Sequence, residues 1–307
     1  MIKIGILGMS AGNAHPYSWS AIINGEFDAE EIIRVGYPAV AAYLQANVDT
    51  LGLSNARVTH VWAQDAEIAQ SIAKTAGIAN IVTHAEDMIG QVDAILLSRD
   101  DPENHVAMAK PFIDAGIPIF IDKPLASTLQ DLAYFSVEVA KGKLIMSCSS
   151  MRYSVEARNT KIEFPTLGKI ELITATGKKD WTKYGVHMLE GVFMLLDDAT
   201  PLTVRHVGEA GKDIVHITFA DGLQVIVNLF YDIAGTFQIS VFGQQAWRLI
   251  EIKNSYAMFR DNIIEFVRSV HEGKSRLDFA KTENIIRTLI AASQSLAEGG
   301  TTIHLSK

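Results

Sequence analysis

Short apolar runs that alternate with amphipathic stretches constrain this chain more than any single motif. The runs fall at residues 2–7, 57–63, 81–82, 94–98, 117–121 and 144–147, and helical patterns fill 17–24, 66–76, 85–89, 104–115 and 128–141. Strands covered on both faces are apolar along most of their length, and parallel neighbours need a long crossover that is usually a helix. The first half is therefore predicted to be a doubly wound, parallel Rossmann-type α/β sheet. The stretch 27–55 exceeds an ordinary helix-to-strand connection and reads as an insertion, with a short helix near 39–46.

From Lys169 onward the runs alternate instead: 170–175, 203–208, 214–219, 224–229, 236–242 and 246–252, with turns such as Ala220-Asp221-Gly222 between them. They predict an α+β unit with an open, largely antiparallel sheet and helices at 186–196, 256–272 and 280–298. With 307 residues the chain is long enough for two domains. We place a dinucleotide-binding domain at 1–124 and a substrate-binding and oligomerisation domain at 125–307, with 125–150 able to extend the first sheet.

Composition narrows the partners. A formal charge of −8 without a basic run argues against nucleic acid. No apolar stretch reaches the ~20 residues that span a bilayer, and the first run is too short for a secretory signal, so no membrane role is expected. The lone Cys148 rules out an intrachain disulfide and fits a reducing cytoplasm. The histidines show no H-x-x-x-H spacing, so no metal is expected. Phe259, Phe266 and Trp247 are expected to pack in the core.

Three places carry candidate chemistry. After the first run comes Gly8-Met9-Ser10-Ala11-Gly12-Asn13, where a strand, a glycine turn and a helix start can present N–H groups to a pyrophosphate. The G-x-G-x-x-G pattern is imperfect, with Gly8, Ser10 and Asn13 in register and an extra Gly12; a plain tight turn explains it equally well. At the end of 57–63, Asp65 is placed either to bind the adenosine ribose or to cap the next helix, which leaves NAD or NADP open. After 117–121 comes Asp122-Lys123-Pro124, where open parallel sheets gather ligands. A solvated rim lysine is the alternative there. His105, and Arg99 in Arg99-Asp100-Asp101, are further cofactor candidates, with a helix start and a solvated loop as their plainer explanations.

In order, Ile4-Gly5-Ile6-Leu7-Gly8, Pro102 and His105 ahead of Asp114-Ala115-Gly116, Asp122-Lys123-Pro124-Leu125-Ala126, Met151-Arg152-Tyr153, Gly168-Lys169-Ile170 and Tyr184-Gly185-Val186-His187 form a set. The set resembles the glucose–fructose oxidoreductase and inositol dehydrogenase (Gfo/Idh/MocA) family over nearly the whole chain. That resemblance implies a nicotinamide enzyme acting on a sugar, cyclitol or related polyol, with Lys123 near the nicotinamide ribose and the substrate hydroxyl and His187 across the substrate. It also implies a homodimer or homotetramer. Arg152, Trp181, Lys183, Tyr184 and Glu190 are the accompanying substrate-side candidates, although a salt bridge or a packing contact would also explain Arg152. Two departures matter. The family's E-K-P is Asp122-Lys123-Pro124, and the acids four residues before and three after the histidine are here Lys183 and Glu190. Lys183 points to an anionic substrate or to altered activity. Two alternatives stay open: a non-catalytic dinucleotide-binding relative, and an NAD-using lyase or glycosidase without net redox.

Overall fold

The computed structural model describes residues 1–305, which divide into two compact units. The first holds Met1–Ala126, Gln130–Cys148 and Phe259–Phe279, and the second holds Ser127–Leu129, Ser149–Met258 and the described residues from Ala280 onward.

In the first unit, strands β1 (Ile2–Gly8), β2 (Ala56–Ala63), β3 (Asn80–Ile81), β4 (Ala94–Leu97), β5 (Ile119–Ile121) and β6 (Ile145–Met146) form one parallel sheet in the order β3-β2-β1-β4-β5-β6. The crossovers include helices α1 (His15–Asn24), α4 (Ala66–Thr75), α5 (His105–Asp114) and α6 (Leu129–Ala140). Every residue of β4 and β5 is buried, which is why these strands read as unbroken apolar runs. The strand order reverses beside β1, so the loops after β1 and β4 diverge at the sheet's carboxyl edge, where such folds bind ligands.

The insertion folds into two helices rather than one, α2 (Ala29–Arg34) and α3 (Pro38–Gln45). Asp28 caps α2 by accepting the Glu31 N–H, and the Pro38 ring starts α3. Helix α9 (Ser255–Glu272) returns to this unit late in the chain: Phe266, fully buried, meets Phe120 of β5 edge-on at 5.7 Å.

In the second unit, β7 (Ile170–Lys178), β8 (Pro201–His206), β9 (Lys212–Phe219), β10 (Gln224–Phe230), β11 (Phe237–Gly243), β12 (Trp247–Glu251) and β13 (Ile303–His304) form a sheet in the order β12-β11-β7-β10-β9-β8-β13. It is antiparallel except where β7 and β10 run parallel. Helices α7 (Val155–Ile162), α8 (Trp181–Leu195) and α10 (Phe279–Ala297) accompany it. Helix α8 begins five residues before the expected 186, because the Asp180 carboxylate caps it by accepting the Lys183 N–H at 3.1 Å. Trp247 is a correction: it is 60 % exposed, because β12 is an edge strand that turns Ile250 inward and leaves Trp247 outside against Phe242. Among the described residues no helix is long and apolar enough to cross a membrane.

Candidate active site

The first unit gathers its candidate residues at the ends of β1, β4 and β5. Where β1 ends, Gly8 lets the turn lie against α1, since a Cβ there would come within 2.8 Å of the Pro16 ring. Gly12 has φ of +79°, and nothing lies within 4 Å of where its Cβ would stand. Ala11 and Gly12 are exposed, and among the described residues their N–H groups find no partner. Exposed donors, an empty cradle at Gly12 and the start of α1 fit a dinucleotide pyrophosphate.

The side chains of this turn face inward. Asn13 Nδ2 donates to Asp122 Oδ2 at 2.8 Å, and its Oδ1 accepts the His15 N–H at 2.9 Å. His15 Nδ1 lies 2.5 Å from the same Asp122 oxygen, and its ring stacks on Trp19 with centroids 4.5 Å apart. Asp122, 1 % exposed, thus ties the glycine turn to the end of β5. Burial pushes its carboxyl up, but His15, Lys123 and Asn13 outweigh this and bring it down to about 2. A depressed carboxyl stabilises the fold above its unfolded value near 4 and loses that contribution as pH falls through about 2. We expect Asp122→Asn to flatten the stability profile between those limits by about 2 kcal/mol, read by urea unfolding at stepped pH. An unchanged slope would show that Asp122 is not held ionised.

Lys123 is 6 % exposed, and its Nζ is 3.7 Å from Asp100 Oδ2. Asp100 is held by Ser10, whose hydroxyl donates to Asp100 Oδ1 at 2.5 Å and accepts the Asp100 N–H at 3.0 Å. Ser10, at the place of the second fingerprint glycine, therefore braces the acid beside the buried ammonium. Arg99 turns back on Asp101 with two bonds of 2.9 and 2.6 Å and reaches Gln64 Oε1 at 2.9 Å. Gln64 also accepts the Met9 N–H, at 3.0 Å. Asp65 is exposed and accepts the Glu67 N–H at the start of α4, at 2.7 Å. His105 is fully buried, with its ring nitrogens 3.0 Å from the Leu125 carbonyl and 2.9 Å from that of Arg99. It joins the loops that carry Asp100 and Lys123.

The second unit carries its own candidates on α8. Lys183, Tyr184 and His187 lie three and four residues apart and so share one face. The His187 ring meets Tyr184 edge-on at 5.0 Å and Phe237 at 6.2 Å, and Lys179 donates to the Tyr184 hydroxyl at 2.7 Å. Lys183 is exposed, while Tyr184 and His187 are half-buried. Trp181 points inward, and its indole N–H donates to the Leu289 carbonyl at 3.0 Å.

Glu190, one turn beyond His187, is 1 % exposed and bound to Arg152 Nε at 2.5 Å and to the Ser149 N–H at 3.1 Å. Burial pushes its carboxyl up against the pull of Arg152. Arg152 places its other two nitrogens on Asp198, at 3.1 and 2.7 Å, and Lys281 closes the cluster at 2.9 Å. Removing one partner of a buried pair strands the other charge, so Arg152→Ala should cost about 3–5 kcal/mol, measured by chemical denaturation. A loss under about 1 kcal/mol, the scale of an exposed pair, would show that the cluster is solvated.

Sequence reasoning did not find Gln64, Asp100 as the partner of Lys123, or Ser149, whose hydroxyl lies 2.6 Å from His187 Nδ1. Asp100 stood within a charged triplet that carried a signal. Gln64 and Ser149 are ordinary polar residues whose partners lie 55 and 38 positions away.

Residues 2–148 match the model of an oxidoreductase family with an NAD-binding Rossmann fold, Gfo/Idh/MocA. Inositol 2-dehydrogenase 1 of Saccharopolyspora erythraea is 35 % identical over 127 residues, which span 39 % of this chain and 37 % of that protein. The myo-inositol 2-dehydrogenase of Lactobacillus plantarum superposes with a TM-score of 0.77 at 14 % identity over 99 % of both chains. The myo-inositol dehydrogenase of Lactobacillus casei, solved with NAD(H) and myo-inositol, gives 0.77 at 15 % identity, over 100 % of this chain and 97 % of that one. At such identities the structural likeness establishes the fold alone. Residues 2–148, just under half of the chain, are thus similar to the NAD-binding Rossmann domain of the Gfo/Idh/MocA oxidoreductases.

Proposed function

We propose that this chain is a nicotinamide-dependent dehydrogenase that oxidises a secondary hydroxyl of a sugar or cyclitol, with Lys123 and His187 acting on the same substrate oxygen. The observation that carries the reading is the buried Lys123 at the end of β5, braced by Asp100 and Asp122, in a domain of an NAD-binding family. A lysine there is costly to bury, and it can steady negative charge as it develops on a hydroxyl oxygen. His187 supplies the base, since imidazole is the side chain that ordinarily titrates nearest neutrality. NAD would supply the hydride acceptor when bound, while the residues of the chain bind, orient and move the proton. The turn at Gly8 to Asn13 would hold the pyrophosphate, and His105 and Arg99 shape the loop after β4.

The substrate class follows the inositol dehydrogenases named above. Lys183, exposed one helical turn before His187, favours a member that carries a carboxylate or phosphate. The outer face of the second sheet, with Trp247, Leu249 and Phe242 exposed, is the proposed self-association surface of a homodimer or homotetramer, which sedimentation velocity tests. The single buried thiol, Cys148, suits a reducing cytoplasm.

The experiment is a fluorescence titration with NAD(H) and NADP(H), followed by a screen of cyclitols, sugars and uronates for nicotinamide reduction. We expect binding of NAD(H) and turnover with at least one polyol. Binding without reduction of any carbonyl or oxidation of any alcohol would favour a non-catalytic relative. Product without net reduction would favour a lyase or glycosidase, and no dinucleotide binding would end the reading.

A further inference from the structure

The groups around His187 are unusual in one respect: no carboxylate on α8 is available to orient the ring. Glu190, one turn later, is turned onto Arg152 and the Ser149 N–H, and the position one turn earlier is Lys183. The Asp180 carboxylate is occupied as the helix cap. A hydroxyl meets the ring at Nδ1. Ser149 is 1 % exposed, and its Oγ lies 2.6 Å from His187 Nδ1 while accepting the Met151 N–H at 3.1 Å. Its own backbone is pinned, because its N–H donates to Glu190, which is clamped by Arg152, itself gripped by Asp198.

We propose that Ser149 is the positioning residue for His187: it holds Nδ1, so that Nε2 is the nitrogen that exchanges a proton with the substrate. This rests on the reading of His187 as the proton-exchanging group. A hydroxyl suits the task in a way a carboxylate does not. It accepts from Nδ1–H, which the ring carries both as the neutral base with Nε2 open and as the imidazolium, so the contact survives both states. A carboxylate in its place would favour the charged ring. The buried chain Asp198, Arg152, Glu190 and Ser149 then has a use beyond stability, as the frame that fixes the hydroxyl.

The test compares Ser149→Ala and Ser149→Thr with the parent by ring ¹⁵N spectroscopy of histidine-labelled protein, assigning His187 by its loss in His187→Asn. Steady-state turnover follows on the alcohol returned by the screen. In Ser149→Ala we expect the His187 ¹⁵N pattern to move toward that of a free imidazole. We also expect kcat to fall about 10- to 100-fold with KM nearly unchanged, a part of the ~10²–10⁴ that a positioned base supplies. Ser149→Thr keeps the hydroxyl and should restore both. An unchanged ¹⁵N pattern and kcat in Ser149→Ala overturns the proposal. So does an equal loss in both variants accompanied by a lowered unfolding midpoint, which marks a structural role only. If His187→Asn keeps full turnover, the functional reading falls and this proposal with it. Loss in His187→Asn beside normal Ser149→Ala removes the role of Ser149 alone.

Discussion

Lys123→Met is expected to lower kcat about 10²- to 10³-fold, the cost of removing one preorganised group that stabilises charge on a reacting oxygen. Methionine keeps most of the length and apolar stem of lysine but has no ammonium, so the loss reports charge rather than packing. Stability should move little. The Asp100 contact is long, at 3.7 Å, and Asp100 keeps both of its bonds to Ser10 when the lysine is gone. A shift of the unfolding midpoint of no more than ~4 °C is expected, about 1 kcal/mol for domains of this size. Binding of NAD(H) should stay within a few-fold, because the exposed donors of the turn are elsewhere, at Ala11 and Gly12. Steady-state kinetics, a thermal melt and a dinucleotide titration on the same preparation measure all three. Normal turnover with a collapsed midpoint would mean that Lys123 is a structural ion-pair partner.

His187→Asn is expected to reduce kcat/KM about 10²- to 10⁴-fold, the usual contribution of a positioned acid or base. Asparagine can still hydrogen-bond to Ser149 but cannot exchange a proton near neutral pH. The ring is half-buried, and its neighbours Tyr184 and Phe237 also face each other, with centroids 6.2 Å apart and planes within 3°. The fold of the second unit should therefore tolerate the change. Loss in both the oxidation and reduction directions is expected, since the same group must take the proton in one and return it in the other. Turnover retained within a few-fold would assign the proton transfer elsewhere.

The parallel sheet was legible because its strands are sealed on both faces: Ala94–Leu97 is four buried apolar residues in a row, a pattern that water-facing strands do not show. The second sheet was legible from alternation, as in Gln224–Phe230, where every second residue is buried. The start of α8 was hidden because Gly185 lowers helix propensity just where Asp180 and the buried Trp181 establish the helix. Its Gly185 is close-packed, since a Cβ would approach Leu289 to 2.8 Å. Trp247 looked like core because nothing in a sequence says which strand becomes the edge.

The candidate site divides in the same way. Asp122 and Lys123 announced themselves as charges at the end of a buried strand, where a surface explanation is weak. Asp65 offered two meanings, and its carboxylate is seen on the Glu67 N–H as a cap. Arg152 also offered two, and its guanidinium is seen on Glu190 and Asp198. Ser149 gave no signal, because a serine's role depends on which partner the fold brings to it, and His187 is 38 residues away.

The measurement that bears most directly on the central claim is a crystal structure of the chain with NADH and a bound polyol. The account predicts that Lys123 Nζ and His187 Nε2 both lie within hydrogen-bond reach, about 2.6–3.2 Å, of one substrate hydroxyl oxygen. A complex in which the two nitrogens contact different groups, or in which only one reaches the polyol, would contradict it.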